Sequence, residues 1–229
     1  MNCESILSLF LPRRCVICDK RLTTNEDILC MGCLTTLAHP TLLDTQDNEA
    51  VRQLWGILPV HSGITLLYYK KGSEQHKLLE AMKYKGRVDA CQKMGQLLAS
   101  TMSPSGFFTP IDAIIPIPLS KKRQRWRGYN QAEHIALGIS KFTGIEICTK
   151  AIVRKKDNNS QTRMSYTERM ENVKGIFMAQ KDARLDGKHL LIVDDILTTG
   201  ATLRSAIETL HEAFPNATFS IATIALTAE

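Results

Sequence analysis

The chain has 229 residues, 44% of them hydrophobic and 23% charged, with 29 basic against 23 acidic side chains and a formal net charge of +6. That is enough apolar material for one sizeable core plus a small appendage, and it excludes a disordered chain. No stretch approaches the roughly 20 apolar residues that span a bilayer. The apolar residues Ile6, Leu7, Leu9, Phe10 and Leu11 form too short a run, with no preceding basic segment, to be a secretion signal, so a cytoplasmic protein is expected.

In chain order, the first chemistry is carried by four of the 7 cysteines, spaced as Cys15-x-x-Cys18 and Cys30-x-x-Cys33. In a reducing compartment disulfides do not persist, and two such knuckles present four thiolates tetrahedrally to one zinc. Four thiolates leave no open coordination position, so the zinc is structural. The competing redox reading needs only one such pair in a thioredoxin-like context. Residues 1–45 therefore read as a zinc module too small to fold without its metal, 46–62 as a linker carrying Trp55, and 63–229 as the main domain.

From residue 63 the pattern alternates between strands and helices. Residues 64–69 read as a strand, 75–84 and 90–102 as helices, and 112–117 as a second, buried strand. A basic run follows, Lys121-Lys122-Arg123-Gln124-Arg125-Trp126-Arg127, then Gly128 and Tyr129; it is expected to be a loop leaving the strand's carboxyl end and facing an anionic partner. Residues 130–142 place Ala132, Ile135, Ala136 and Ile139 on one helical face, and 145–153, 173–177, 189–193 and 219–225 complete the strands. The polar segment between 153 and 173, which holds Gln161 and Arg163, has the length of a lid. The expected fold is α/β, a mostly parallel sheet flanked by helices, with the zinc module at the amino terminus.

Residues 190–202 read Leu190-Leu191-Ile192-Val193-Asp194-Asp195-Ile196-Leu197-Thr198-Thr199-Gly200-Ala201-Thr202. Four apolar residues suit a strand buried on both faces; two carboxylates follow, then a hydroxyl-rich turn, then Leu203, Ala206, Ile207 and Leu210 at helical spacing. Parallel sheets bind ligands at the carboxyl ends of their strands. Thr198, Thr199 and Thr202 offer hydroxyls, Gly200 lets backbone approach a ligand, and the helix amides from Ala201 onward attract a phosphate. Asp194 and Asp195 would repel that phosphate, so their partners are sugar hydroxyls, which donate hydrogen bonds, or a bridging metal. The combination is a cradle for ribose 5-phosphate. A capped helix after a core strand would explain one Thr and one Asp but not the whole run. A Walker B strand ends similarly, yet its partner motif G-x-x-x-x-G-K-[ST] occurs nowhere in the sequence.

This run resembles the PRPP-binding loop of type I phosphoribosyltransferases, whose pattern is four apolar residues, two acidic residues, two further residues, then Thr-Gly-x-Thr. The resemblance implies Asp194 and Asp195 as the catalytic acids, residues 198–202 on the phosphate of PRPP, and magnesium accompanying PRPP. It also implies that the loop with Lys121, Lys122, Arg123, Arg125, Arg127, Gly128 and Tyr129 receives the pyrophosphate. The segment with Gln161 and Arg163 corresponds to the hood that closes over the substrate.

Over its whole length the chain resembles the ComF/GntX group. The resemblance rests on the four cysteines, Met82-Lys83-Tyr84-Lys85-Gly86-Arg87, Pro116-Ile117-Pro118-Leu119 leading to Arg127-Gly128-Tyr129-Asn130-Gln131, Asn159-Ser160-Gln161-Thr162 with Arg169 and Asn172-Val173, and the acidic loop. It implies, for relatives in transformable bacteria, a cytoplasmic role peripheral to the inner membrane: bringing incoming single-stranded DNA across, alongside DNA-uptake proteins. Many members carry further Cys pairs, which are absent here between Leu34 and Gly63, so a second metal site is not expected.

Handling of single-stranded DNA in DNA uptake is the favoured reading, with cations neutralising the backbone and Trp126 and Tyr129 offered to bases. The alternative is a magnesium-dependent phosphoribosyltransferase that passes the phosphoribosyl group of PRPP to a nitrogenous base. A PRPP sensor without turnover shares that site. The acceptor base and the existence of turnover are not legible in the sequence.

Overall fold

Leu190, Leu191, Ile192 and Val193 are all fully buried, which requires layers on both faces of the strand that holds them. The computed structural model describes residues 13–37, 45–54, 60–70, 72–84, 86–155 and 175–227. Its strands in chain order are β1 (Val60–Tyr69), β2 (Ala113–Pro116), β3 (Glu146–Ile147), β4 (Ile152–Arg154), β5 (Phe177–Ala179), β6 (His189–Leu197) and β7 (Thr218–Thr227). The main sheet runs β1-β7-β6-β2-β3 with every neighbouring pair parallel, so all carboxyl ends share one edge. Strands β4 and β5 form a separate antiparallel pair.

The helices are α1 (Met31–Thr35), α2 (Glu49–Arg52), α3 (Glu74–Tyr84), α4 (Val88–Met102), α5 (Lys121–Arg127), α6 (Gln131–Thr143) and α7 (Ala201–Ala213). On one face of the sheet Leu78, Met94, Leu98 and Ile135 from α3, α4 and α6 bury Leu191 and Val193. On the other, Leu203, Ile207 and Leu210 of α7, with Leu54, Ile152 and Phe177, bury Leu190 and Ile192. Helices α4 and α6 approach backbone to backbone. A Cβ added at Gly95 would collide with the carbonyl of Ile135, and one at Gly138 with the carbonyl of Gln92. No helix among the described residues is long and apolar enough to cross a membrane.

The cysteine module is not a free appendage. Ile17, Leu22, Ile28 and Leu29 belong to the same core cluster as α3, α4 and α6, and Lys93 of α4 pairs with Asp27 at 2.9 Å. Within the 46–62 stretch, read from sequence as a linker, α2 buries Ala50 and Val51, Leu54 joins the core, and β1 already begins at Val60.

Three local expectations change. The single strand expected over 145–153 breaks at a turn, so that β3 joins the main sheet while β4 pairs with β5. Strand β6 does not stop at Val193 but runs on to Leu197. The basic run is a helix rather than a loop: Ser120 caps it by accepting from the Arg123 amide at 3.3 Å, no β-branched residue or glycine interrupts it, and Gly128 at φ +82° ends it. Trp55, the residues Ile6 to Leu11, and the hood residues Gln161 and Arg163 lie outside the described residues.

Candidate functional site

The site begins where β6 loses one neighbour. Strand β2 pairs with β6 only as far as Pro116 opposite Val193, whereas β7 follows β6 through Asp194 opposite Thr223 to Leu197 opposite Leu226. Asp194 and Asp195 thus sit in a strand held from one side and open on the other.

Successive strand residues face opposite ways. Asp195 follows the parity of Leu191 and Val193, toward α3 and α4, and Asp194 that of Leu190 and Ile192, toward α7. Asp195 is 8% exposed, and its Oδ2 lies 3.3 Å from the Nζ of Lys83, near the end of α3. Asp194 Oδ1 accepts the Asp195 amide at 2.8 Å. Burial, with the Asp195 carboxylate added to it, raises the Asp194 carboxyl to about 7, against the opposing pull of Lys83 and Arg154. The two acids expected to act as a pair are therefore unequal.

Beyond Leu197 the chain turns through Thr198, which is exposed, and Thr199, which is partly buried, to Gly200. Gly200 has φ +73°, the left-handed region that favours glycine, and a Cβ there would press on Leu54 Cδ2 at 2.8 Å. Helix α7 then starts at Ala201 without a side-chain cap, unlike α5 and α6, which Ser120 and Asn130 cap. Its first intrahelical donor is the Arg204 amide, to Gly200 O at 2.8 Å, which leaves the amides of Ala201, Thr202 and Leu203 facing the turn. Amides placed this way at a helix start can donate to an anion.

The basic run divides. Lys121, Lys122, Arg125 and Trp126 are exposed and line one recess, with Trp126 71% exposed and its ring 5.5 Å from that of Tyr84. Arg123 and Arg127 are partly buried. Arg127 turns inward: its Nη1 donates to Gln131 Oε1 at 2.9 Å, its guanidinium lies 5.3 Å from the Tyr84 ring centre, and its buried Nε has no acceptor among the described residues. An orphaned guanidinium donor is consistent with an oxyanion there. Tyr129 is core, not a stacking surface: it is buried, and its hydroxyl donates to Met82 O at 2.7 Å.

Sequence reasoning missed two residues. Lys83 was legible only as part of a motif, with no sign that it reaches Asp195. Asn130 is 2% exposed and donates to Ile117 O at 3.0 Å while its Oδ1 accepts the Ala132 amide, so it ties the exit of β2 to the start of α6.

In the cysteine module the four Sγ atoms of Cys15, Cys18, Cys30 and Cys33 all lie within 4.8 Å of one another. A tetrahedral ion with metal–sulfur bonds of about 2.3 Å places sulfurs roughly 3.8 Å apart, and Cys18 and Cys30 are separated by 3.6 Å. Burial raises the Cys15 thiol, but the backbone amides about Cys18 and Cys30 outweigh it and bring it to about 7. The cluster fits a structural metal.

Residues 128–228 match the phosphoribosyl transferase domain family, a span that contains the acids and the turn but neither the exposed cations of α5 nor the cluster of Cys15, Cys18, Cys30 and Cys33. The chain is 33% identical over 102 residues to competence protein F of Haemophilus influenzae, a match covering 44% of each protein. It is 26% identical over 200 residues to the DNA utilization protein YhgH of Shigella flexneri, covering 86% of this chain and 83% of that one. To competence protein ComFC of Bacillus subtilis it is 27% identical over 147 residues, covering 63% of this chain and 56% of that one. The match thus spans less than half the length of the Haemophilus protein and little more than half of the Bacillus one.

The raised Asp194 carboxyl makes a stability prediction. Its ordinary value is 3.8, so the extra proton affinity stabilises the fold fully below about pH 4 and is lost as pH rises through about 7. Asp194→Asn, which needs no proton to stay neutral, is therefore expected to gain on the parent across that window, by on the order of 2 kcal/mol above pH 8. Urea melts over pH 4–9 check this; parallel curves for parent and variant would show that Asp194 is not buried as a strained carboxylate.

Proposed function

Given a chain homologous to competence protein F, ComFC and YhgH, with a phosphoribosyl transferase domain at residues 128–228, we propose that it binds PRPP with magnesium at the end of β6 and serves DNA uptake by handling single-stranded DNA in the cytoplasm. The observation that carries the small-molecule half is the acidic overhang of β6 running directly into an uncapped helix, with both inside the matched domain.

Each group has a separate task. The Asp194 and Asp195 carboxylates, acceptors only when ionised, take hydrogen bonds donated by ribose hydroxyls. The amides of Ala201 and Thr202 and the hydroxyls of Thr198, Thr199 and Thr202 receive the 5-phosphate, with Gly200 admitting backbone contact. Arg127, whose Nε lacks an acceptor among the described residues, meets the pyrophosphate. Magnesium, when bound, neutralises the pyrophosphate's charge. The same groups would position PRPP for transfer to a base, so product formation across a panel of bases separates the enzyme from a carrier or sensor.

The single-strand half rests on α5. Lys121, Lys122 and Arg125 stand exposed around Trp126, and no ion pair holds them among the described residues. Cations beside an exposed ring are what backbone neutralisation and base stacking require. The cysteine cluster holds one zinc on four thiolates, which closes residues 15–33 around a module with little core of its own.

Calorimetry should detect PRPP binding in the presence of magnesium. Asp194→Asn with Asp195→Asn should weaken it by at least roughly a hundredfold, since two charge-assisted hydrogen bonds of about 1.5 to 3 kcal/mol each are weakened; unchanged affinity in that variant rejects the site. If the three exposed cations of α5 contact phosphates of a single strand, log affinity should fall against log salt with a slope of about −2, and less steeply after Lys121→Ala with Lys122→Ala. A slope that ignores the double substitution removes α5 from strand binding. Protein purified without chelator should hold about one zinc per chain, and metal analysis finding none would falsify the zinc assignment.

A further inference from the structure

Lys83–Asp195 is the most buried ion pair among the described residues, with side chains 19% and 12% exposed, and every other such pair has at least one partner exposed beyond 40%. A carboxylate turned toward an apolar layer needs a counter-charge or it does not stay ionised. The groups facing Asp195 from the helices packed on it are Lys83 from α3 and the thiol of Cys91 from α4, and only the first is a cation.

Lys83 is itself held. Its neighbour Met82 is fully buried, and the Met82 carbonyl accepts from the Tyr129 hydroxyl at 2.7 Å, so the last turn of α3 is fastened to the segment that follows α5. A lysine on a free helix end would swing into water; this one sits on an end anchored one residue away.

We propose that Lys83 is a positioning residue of the acidic site: it fixes Asp195 through Oδ2 at the overhang of β6 and leaves Oδ1 for the ligand. Tyr129 supports it by holding the end of α3. This rests on the assignment of PRPP to that site. It adds that the site's geometry is set from α3, outside the residues that match the transferase domain.

The test uses the full chain with Lys83→Met, Lys83→Arg, Asp195→Asn and the Lys83→Met, Asp195→Asn double variant, read by urea melts and by calorimetry with magnesium and PRPP. Lys83→Met should melt earlier because it strands Asp195, and adding Asp195→Asn should restore much of that loss. Affinity for PRPP should fall in Lys83→Met by roughly tenfold to a hundredfold, the scale on which groups supporting a liganding side chain act. Lys83→Arg should keep it within about threefold, because guanidinium preserves the pairing charge. The double variant should recover stability but not affinity.

Binding by Lys83→Met equal to that of a binding-competent parent overturns the positioning role and leaves the site assignment standing. Additive melts, with no recovery in the double variant, overturn it as well. A parent that binds no PRPP overturns the site assignment and the positioning role together.

Discussion

Strand β6 is paired with β7 along its length but with β2 only to Val193, and the remaining features of the site follow from that mismatch. A central strand of a parallel sheet normally has both backbone edges used. Here the stretch from Asp194 to Leu197 keeps the β7 edge, which fixes its conformation, and gives up the β2 edge, which opens a space at the carboxyl end of the sheet. The exit of β2 is drawn aside into α5 and then tied to α6 by Asn130. The chain leaving β6 turns sharply beside Leu54, and the positive φ at residue 200 favours glycine there.

The overhang also explains why two adjacent acids differ. Continuing as strand sends their side chains to opposite faces, so each meets a different layer, and only Asp195 is in ion-pair contact with Lys83. Asp195 has Lys83 at 3.3 Å, whereas the Asp194 carboxyl is raised by burial and by its neighbour. Neutralising both acids is thus not a silent change to the fold: removing the Asp194 charge relieves the structure, and removing the Asp195 charge leaves Lys83 partly buried without its partner.

Three segments distant in sequence converge behind the acids. Tyr129 bonds to Met82, Arg127 lies over Tyr84, and Lys83 reaches Asp195. The end of α3 is therefore the joint between the basic helix and the acidic strand. Its outward side, Tyr84 with Trp126, is exposed, and its inward side meets the acidic strand through Lys83. The cysteine module packs into the core layer that includes α3 and α4, so a metal there stabilises the scaffold from which Lys83 projects.

The sequence by itself determined what repeats locally. Uninterrupted apolar runs identified the buried strands, because a strand covered on both faces has no polar face to alternate with. Paired cysteines identified four sulfurs that the fold gathers at metal-binding distance, because their spacing limits what four thiols can do together. The run from Leu190 to Thr202 identified a buried strand with two acids near its end, a glycine turn and a helix start, because apolar run, carboxylates, glycine and helical spacing follow one another along the chain. Only the tertiary structure decided how far β6 outruns β2, since strand length depends on which neighbour stays paired. It decided that the basic run is a helix with three exposed cations, Lys121, Lys122 and Arg125, and an inward Arg127, since the capping of Ser120 and the packing under Tyr84 act together. It also decided that Lys83 belongs to Asp195, 112 positions on by residue number (195 − 83): an ion pair between distant segments leaves no periodicity in the chain, and only the packing of α3 on the sheet brings the two charges together.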